Sequence, residues 1–308
     1  LTDKTQEHCV VYNMIRLAEY LLRWTGDPAY ADYMERNLYN GILAQQSRAS
    51  GLVAYYLPLY PGAKKIWGSA TRDFWCCHGT LVQAHTTHNA YAYYEDDEGL
   101  VVCQYYPTEV AWKRGETRVT VAQTFNTEAS GTADHRTGVS RPGGSPHRPK
   151  RWLIGFDVRS DRPVAFTLKL RLPTWLSGKA VVRVNGKPVT VGARAGQFFS
   201  LRRRWLKDAV EVEFPKGLRT EPIPNALEKV AVLDGPVVLA GLGDEERTLY
   251  GDPKRPETWL VPDREREWGT WMGGYQTCHQ DRNLRFVPLN EITDERYTVY
   301  FPVSRNRG

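Results

Sequence analysis

The sequence predicts a multidomain chain in two parts, helices over roughly the first hundred residues and an antiparallel β-sandwich region after them. Three observations carry this. Apolar residues recur at helical spacing up to about residue 94. After Gly99 the spacing changes to two. A total of 26 Gly and 19 Pro among 308 residues signals many turns. The length suits two domains, expected at 1–98 (helical) and 99–308 (β, as one sandwich or two).

Each element follows from local signals. Val11, Met14, Ile15, Ala18, Leu21 and Leu22 mark the buried face of a first helix. Gly26 can end it, and Asp27 with Pro28 starts a second. Met34, Leu38 and Ile42 continue an apolar stripe, and the short connection implies an antiparallel pair. A third helix is predicted from about Thr80 to Tyr94, stopped by the Glu95–Gly99 run. Strands are predicted at 101–106, 118–121, 166–172, 210–214 and 230–233, with a closing strand at 296–301. Asn185-Gly186, between alternating runs, predicts a tight hairpin. The segment 126–150 is rich in Gly, Ser, Thr, Pro and charge and is expected to be a long exposed loop. Residues 243–290 are turn-rich and yield no assignment.

Composition narrows the function. The balance of 41 basic and 35 acidic residues gives a net charge of +6. The clusters Arg202-Arg203-Arg204 and His147-Arg148-Pro149-Lys150-Arg151 read as solvated surface. No basic strip interleaved with aromatics points to nucleic acid. No run of 18 apolar residues offers a membrane-spanning helix. Ten Trp and 17 Tyr suit a packed core and a sugar site equally. The chain opens at Leu1 without a signal-peptide pattern, and reads as the interior of a longer protein. Five cysteines are too few and odd in number for a disulfide framework, so reduced thiols and the cytoplasm are favoured.

Three places can carry chemistry: Glu7-His8-Cys9, Glu35 on the second helix, and Asp73 through Thr80 with its vicinal Cys76-Cys77. A lone buried cysteine is usually a small hydrophobe. An adjacent pair at a helix start is less ordinary, because the N-terminal backbone amides favour thiolate. Glu7, Cys9, Cys76 and Cys77 offer one carboxylate and three thiolates, a donor set that suits zinc. Familiar zinc sites separate paired cysteines by two to four residues, so spacing alone favours the structural reading. His85 and His88 lack the glutamate of the zinc-protease helix and read as core or surface histidines, and Cys103 and Cys278 read as structural.

Several ordered blocks go further. Glu7-x-Cys9, Tyr12-Asn13-Met14, Trp24-Thr25-Gly26-Asp27-Pro28, Glu35-Arg36-Asn37-Leu38-Tyr39-Asn40-Gly41 and Cys76-Cys77-His78-Gly79 together resemble glycoside hydrolase family 127, the β-L-arabinofuranosidase family. The resemblance continues through Leu170-Arg171-Leu172-Pro173-x-Trp175, Val184-Asn185-Gly186, Arg204-Trp205 and Asp234-Gly235-Pro236-Val237-Val238. It implies part of an (α/α)6 barrel followed by β-sandwich, and release of L-arabinofuranose with retention. It implies Zn2+ held by Glu7, Cys9, Cys76 and Cys77, with Cys76 as nucleophile. Glu35 matches a carboxylate expected on sugar hydroxyls, and Tyr55 or Tyr56 an aromatic substrate contact. The family's acid/base glutamate falls ahead of Leu1, so the 308-residue chain by itself is expected to be inactive and to expose an apolar barrel face. Two other readings stand beside this one: a glycosidase of the same fold acting on another sugar, and a non-catalytic carbohydrate-binding scaffold whose zinc is structural.

Overall fold

The computed structural model describes residues 1–127, 150–263 and 274–305. Helix α1 spans His8–Thr25 and α2 Pro28–Asn37. The expected caps are present. Gly26 is left-handed and donates its N–H to Leu22 O at 2.8 Å, and Asp27 accepts from Ala29 N at 2.9 Å. Val11, Ile15, Ala18 and Leu22 of α1 share a core with Ala31 and Met34 of α2 and with Leu81 and Ala84 of the third helix, α3 (Cys76–Thr87). Past α2 the chain widens into one π-helical turn, Leu38–Ile42. Gly41 sits there because a Cβ would lie 2.6 Å from Val11 Cγ1.

The predicted third helix is misplaced. It starts four residues earlier, at Cys76, and gives way to a 3-10 turn, His88–Tyr91. Tyr93–Asp96 is then a strand, β1, paired with β2 (Gly99–Val102). The acidic run read as a helix stop is a hairpin turn, in which Asp96 Oδ1 accepts the N–H groups of Glu98 and Gly99 at 2.9 and 3.0 Å.

The first sheet contains β1 and β2, then β3 (Thr108–Arg114), β4 (Thr117–Thr127), β5 (Arg151–Leu172), β6 (Val181–Val184), β7 (Lys187–Val189) and β8 (Gln197–Pro215). Strands β5 and β8 pair along nearly their whole length, with a register break between Arg159 and Val164. The halves on either side of the break, carrying Ile154, Phe156 and Val158 before it and Phe166, Leu168 and Leu170 after, bury into one core with Trp152, Trp175 and Trp205. Asn185 and Gly186 both take positive φ, 52° and 74°, as the tight β6–β7 turn requires. Pairing is mixed where the sequence predicts antiparallel, since β2 runs parallel to β5. Of the expected loop 126–150, Asn126 and Thr127 end β4, while 128–149 lie outside the described residues.

A second sheet contains β9 (Leu218–Ile223), β10 (Ala226–Asp234), β11 (Val237–Leu242), β12 (Leu249–Tyr250), β13 (Leu260–Pro262), β14 (Tyr275–Thr277), β15 (Arg285–Pro288), β16 (Tyr297–Thr298) and β17 (Tyr300–Ser304). Ala231 and Leu233 of β10 pack with Ala44, Leu57 and Ala63, so this sheet backs the segment that joins the helices. Met14, read as part of the buried face of α1, is instead exposed, because the core-facing stripe runs through Val11, Ile15, Ala18 and Leu22. Val10, Leu17 and Trp24 of α1 and Phe74 and Val82 around the start of α3 are exposed as well.

Candidate functional site

The site is assembled from three separate stretches. Glu7 N-caps α1 and pairs in a short bridge with Tyr56; His8 N donates to Tyr55 O and Leu57 N to Gln6 O, each at 3.1 Å. That pairing sets Glu7 and Cys9 beside Tyr55. Cys76 and Cys77 are the first two residues of α3, where the free amides favour negative charge. Ahead of them Ser69 and Asp73 form a turn, with Asp73 Oδ2 accepting from Ser69 N at 2.6 Å, which fixes how the chain enters the helix.

The four side chains converge. Their ligand atoms all lie within 4.8 Å of one another. Cys76 Sγ is 3.3 Å from Cys9 Sγ, 3.9 Å from Cys77 Sγ and 3.8 Å from Glu7 Oε1; Cys9 Sγ is 3.0 Å from the same oxygen. Tetrahedral zinc with metal–sulfur bonds of about 2.3 Å holds its sulfurs roughly 3.8 Å apart. The donor set and spacing therefore fit a zinc-sized ion with small adjustment. Hydrogen bonds from Cys9, Tyr55 and Cys77 hold the Cys76 thiol below its ordinary range, against the opposing effect of burial. Hydrogen bonds from Cys9 and Tyr55 likewise hold the Glu7 carboxyl low. Burial pushes the Cys77 thiol up to about 11, and burial and the bond to Glu7 push Cys9 up as well. Of the four, Cys76 alone is exposed and Cys77 is fully buried, so one sulfur is open to a reactant.

Tyr55 reaches the cluster through its hydroxyl, 3.8 Å from Cys76 Sγ, and its ring packs on Tyr56 and Trp75 with centroids 4.6 and 5.5 Å away. Trp75, one residue before Cys76, escaped the sequence reading, because nothing local ties it to Tyr55. Glu35 is elsewhere. It is buried, with Arg171 Nη2 and Trp175 Nε1 each donating to its carboxylate at 2.6 Å. Arg171 also bonds Asp32 and Cys103 O. Each carboxylate oxygen thus accepts from a protein donor, and Glu35 joins α2 to the end of β5 and the turn after it. His85 is exposed and bonds Gln46 at 2.8 Å, and the free Cys103 is buried in the helical core.

The cluster that could hold a metal thus sits at a helix start on a helical unit that leads into β-sheets. Residues 1–90 match the β-L-arabinofuranosidase GH127 catalytic domain and 99–216 the GH127 middle domain. The chain belongs to glycoside hydrolase family 127. Its fold is similar to that of a GH127 β-L-arabinofuranosidase from Geobacillus stearothermophilus T6, at 19% identity and TM-score 0.68 over 97% of this chain and 50% of the other. A GH127 β-arabinofuranosidase gives 20%, 0.69, 97% and 49%, and a further glycoside hydrolase 20%, 0.70, 97% and 52%. The chain thus spans about half the length of the solved structures it matches. Among curated proteins, none matches it.

Proposed function

We propose that this chain supplies the nucleophile half of a retaining glycosidase acting on β-L-arabinofuranosides, with Cys76 as the attacking group. The observation that carries the reading is the exposed Cys76 sulfur among three further ligand-type groups, beside the Tyr55–Trp75 aromatic wall. Glu7, Cys9, Cys76 and Cys77 would hold zinc, which when bound supplies a thiolate at neutral pH. Cys76 sulfur attacks the anomeric carbon as the glycosidic C–O bond breaks, and an acid protonates the departing oxygen. Water then attacks the same carbon, the C–S bond breaks, and the same acid group, now a base, takes the water's proton. Two displacements give retention. The resemblance puts that acid/base glutamate outside residues 1–308, so the chain alone is expected to hydrolyse little or nothing. Tyr55 and Trp75 supply the face on which the sugar rests, and Tyr56 backs Tyr55.

The test is covalent trapping of the zinc-loaded chain by a bromoacetamide arabinofuranoside, read by peptide mapping. A single adduct on Cys76, blocked by free L-arabinose and lost in Cys76→Ser, is expected. Alkylation no faster than with plain bromoacetamide would overturn the sugar assignment, and hexose or uronic-acid reagents that label faster would move it to another sugar. A closed set of four protein ligands is also how structural zinc looks. That second reading gains if Cys76 stays unreactive to every reagent while zinc is bound.

A further inference from the structure

We propose that His8 is a positioning residue for the thiolate cluster, acting through Thr80, and that the His8–Thr80 contact sets the separation between its two halves. The inference rests on the zinc-cysteine reading above. Glu7 and Cys9 come from the start of α1; Cys76 and Cys77 come from the start of α3, nearly seventy residues on. His8 lies between the first two ligands and is fully buried. Its Nδ1 is 2.9 Å from Thr80 Oγ1, and Thr80 Oγ1 donates to Cys77 O at 3.3 Å. With the hydroxyl proton committed to Cys77 O, Thr80 can only accept from His8. We assign the imidazole proton to Nδ1, so that the chain runs His8 Nδ1–H to Thr80 O–H to the Cys77 carbonyl. Nε2 is buried without a partner, which a bare lone pair tolerates better than an N–H would.

No other side-chain hydrogen bond among the described residues reaches from the 7–9 segment into the α3 body; the remaining links are the thiol contacts themselves and the shared neighbour Tyr55. The strut braces the ligands' backbones from behind, so it acts on the ligand positions before any ion arrives. A group that orients metal ligands from outside the coordination shell typically carries 10–100-fold in metal affinity.

The geometry gives a sharp substitution pattern. Asparagine places its amide N–H where Nδ1 is, whereas glutamine reaches to the Nε2 position. Zinc affinity, measured by competition with a fluorescent chelator, is expected to stay within about threefold in His8→Asn and Thr80→Ser. It is expected to fall about tenfold or more in His8→Gln and Thr80→Val, with the double variant no worse than either single one. A second readout needs no metal. In chelator-treated protein, diamide takes two electrons and two protons from Cys9 and Cys76, forming a disulfide and a hydrazine. The rate of that cross-link, mapped by mass spectrometry, should drop in His8→Gln and Thr80→Val and recover in His8→Asn, while circular dichroism stays unchanged. Failure of the wild-type chain to take up zinc sinks the proposed function and leaves the cross-link to judge the strut. Wild-type cross-linking rates in both Thr80→Val and His8→Gln overturn the strut itself.

Discussion

Four cysteines within the described residues that pack against or near the helices differ in environment in a way that predicts their chemistry. Cys76 is exposed, Cys9 half-buried, and Cys77 and Cys103 are fully buried. A thiol reacts through its thiolate and only where reagent can reach it. In chelator-treated, folded protein, limiting iodoacetamide is expected to modify Cys76 first and Cys9 next, with Cys77 and Cys103 reacting only in denaturant. Zinc should protect Cys9 while leaving Cys76 the reactive thiol, and should leave Cys103 unchanged, as read by peptide mapping. Equal labelling of Cys103 and Cys76 in the folded chain would show that the packing around α3 is wrong. The vicinal pair itself was legible in the sequence, as were Glu7 and Cys9. The bracing residues were not, because His8 and Thr80 are joined by a single contact across 72 positions, and an isolated His or Thr carries no periodic signal.

At the level of elements, the blocks that made the family recognisable turn out to meet in space. Glu35 of α2 is held by Arg171 and Trp175 from the end of β5 and the turn after it. Asn40 donates to Pro236 O and accepts from Val238 N, both at 2.8 Å, tying the π-turn to the β10–β11 hairpin. These motifs are joints between helices and sheets, and sequence spacing cannot show which block touches which. Periodicity located the helices and the long strands, since burial on one face leaves a pattern. It failed at residues 93–96, where β1 is too short for a pattern and the Asp96 turn imitates a helix end. The joint has a measurable weight. Arg171→Met removes the partner of the buried Glu35 carboxylate and the half-buried Asp32 carboxylate and is expected to cost about 3–5 kcal/mol in urea unfolding. Glu35→Gln keeps the Trp175 bond and should cost less, and neither change should alter zinc stoichiometry. Normal stability of Glu35→Gln combined with lost labelling by the arabinofuranosyl reagent would return Glu35 to the sugar site.

Across the whole molecule, the segment that carries Tyr55, Tyr56 and Cys76 is held from behind by the second sheet. Tyr297 donates its hydroxyl to Pro58 O at 2.7 Å, and Tyr297 N bonds Ala63 O at 2.8 Å. Lys65 completes the seam: its buried Nζ donates to Leu289 O and Ile292 O at 2.8 and 2.7 Å and lies 5.7 Å from the Trp67 ring centre. Carbonyl oxygens and a ring face stabilise an ammonium less than water does, so burial pushes the Lys65 amine down to about 7, with Glu295 opposing weakly. The unfolded chain restores an ordinary lysine near 10.4. Between about pH 7 and 10 the unfolded state binds the extra proton, so this residue makes the fold more stable as pH rises, by up to ~1.4 kcal/mol per pH unit. Below that window both states are charged and its contribution is flat. Other groups titrate in the same range, so the quantity to measure is the stability difference between wild type and Lys65→Met. Urea unfolding at pH 7, 8 and 9 should show that difference shifting in favour of wild type by about 1 kcal/mol per unit. A difference that stays constant with pH would mean that Lys65 keeps an ordinary amine and that the seam is open to water. Because the same seam supports the stretch between Tyr55 and Cys76, the reactivity of Cys76 toward iodoacetamide should change little in Lys65→Met at pH 9 if the α3 start is anchored by the Ser69–Asp73 turn alone, and rise if the second sheet sets its position.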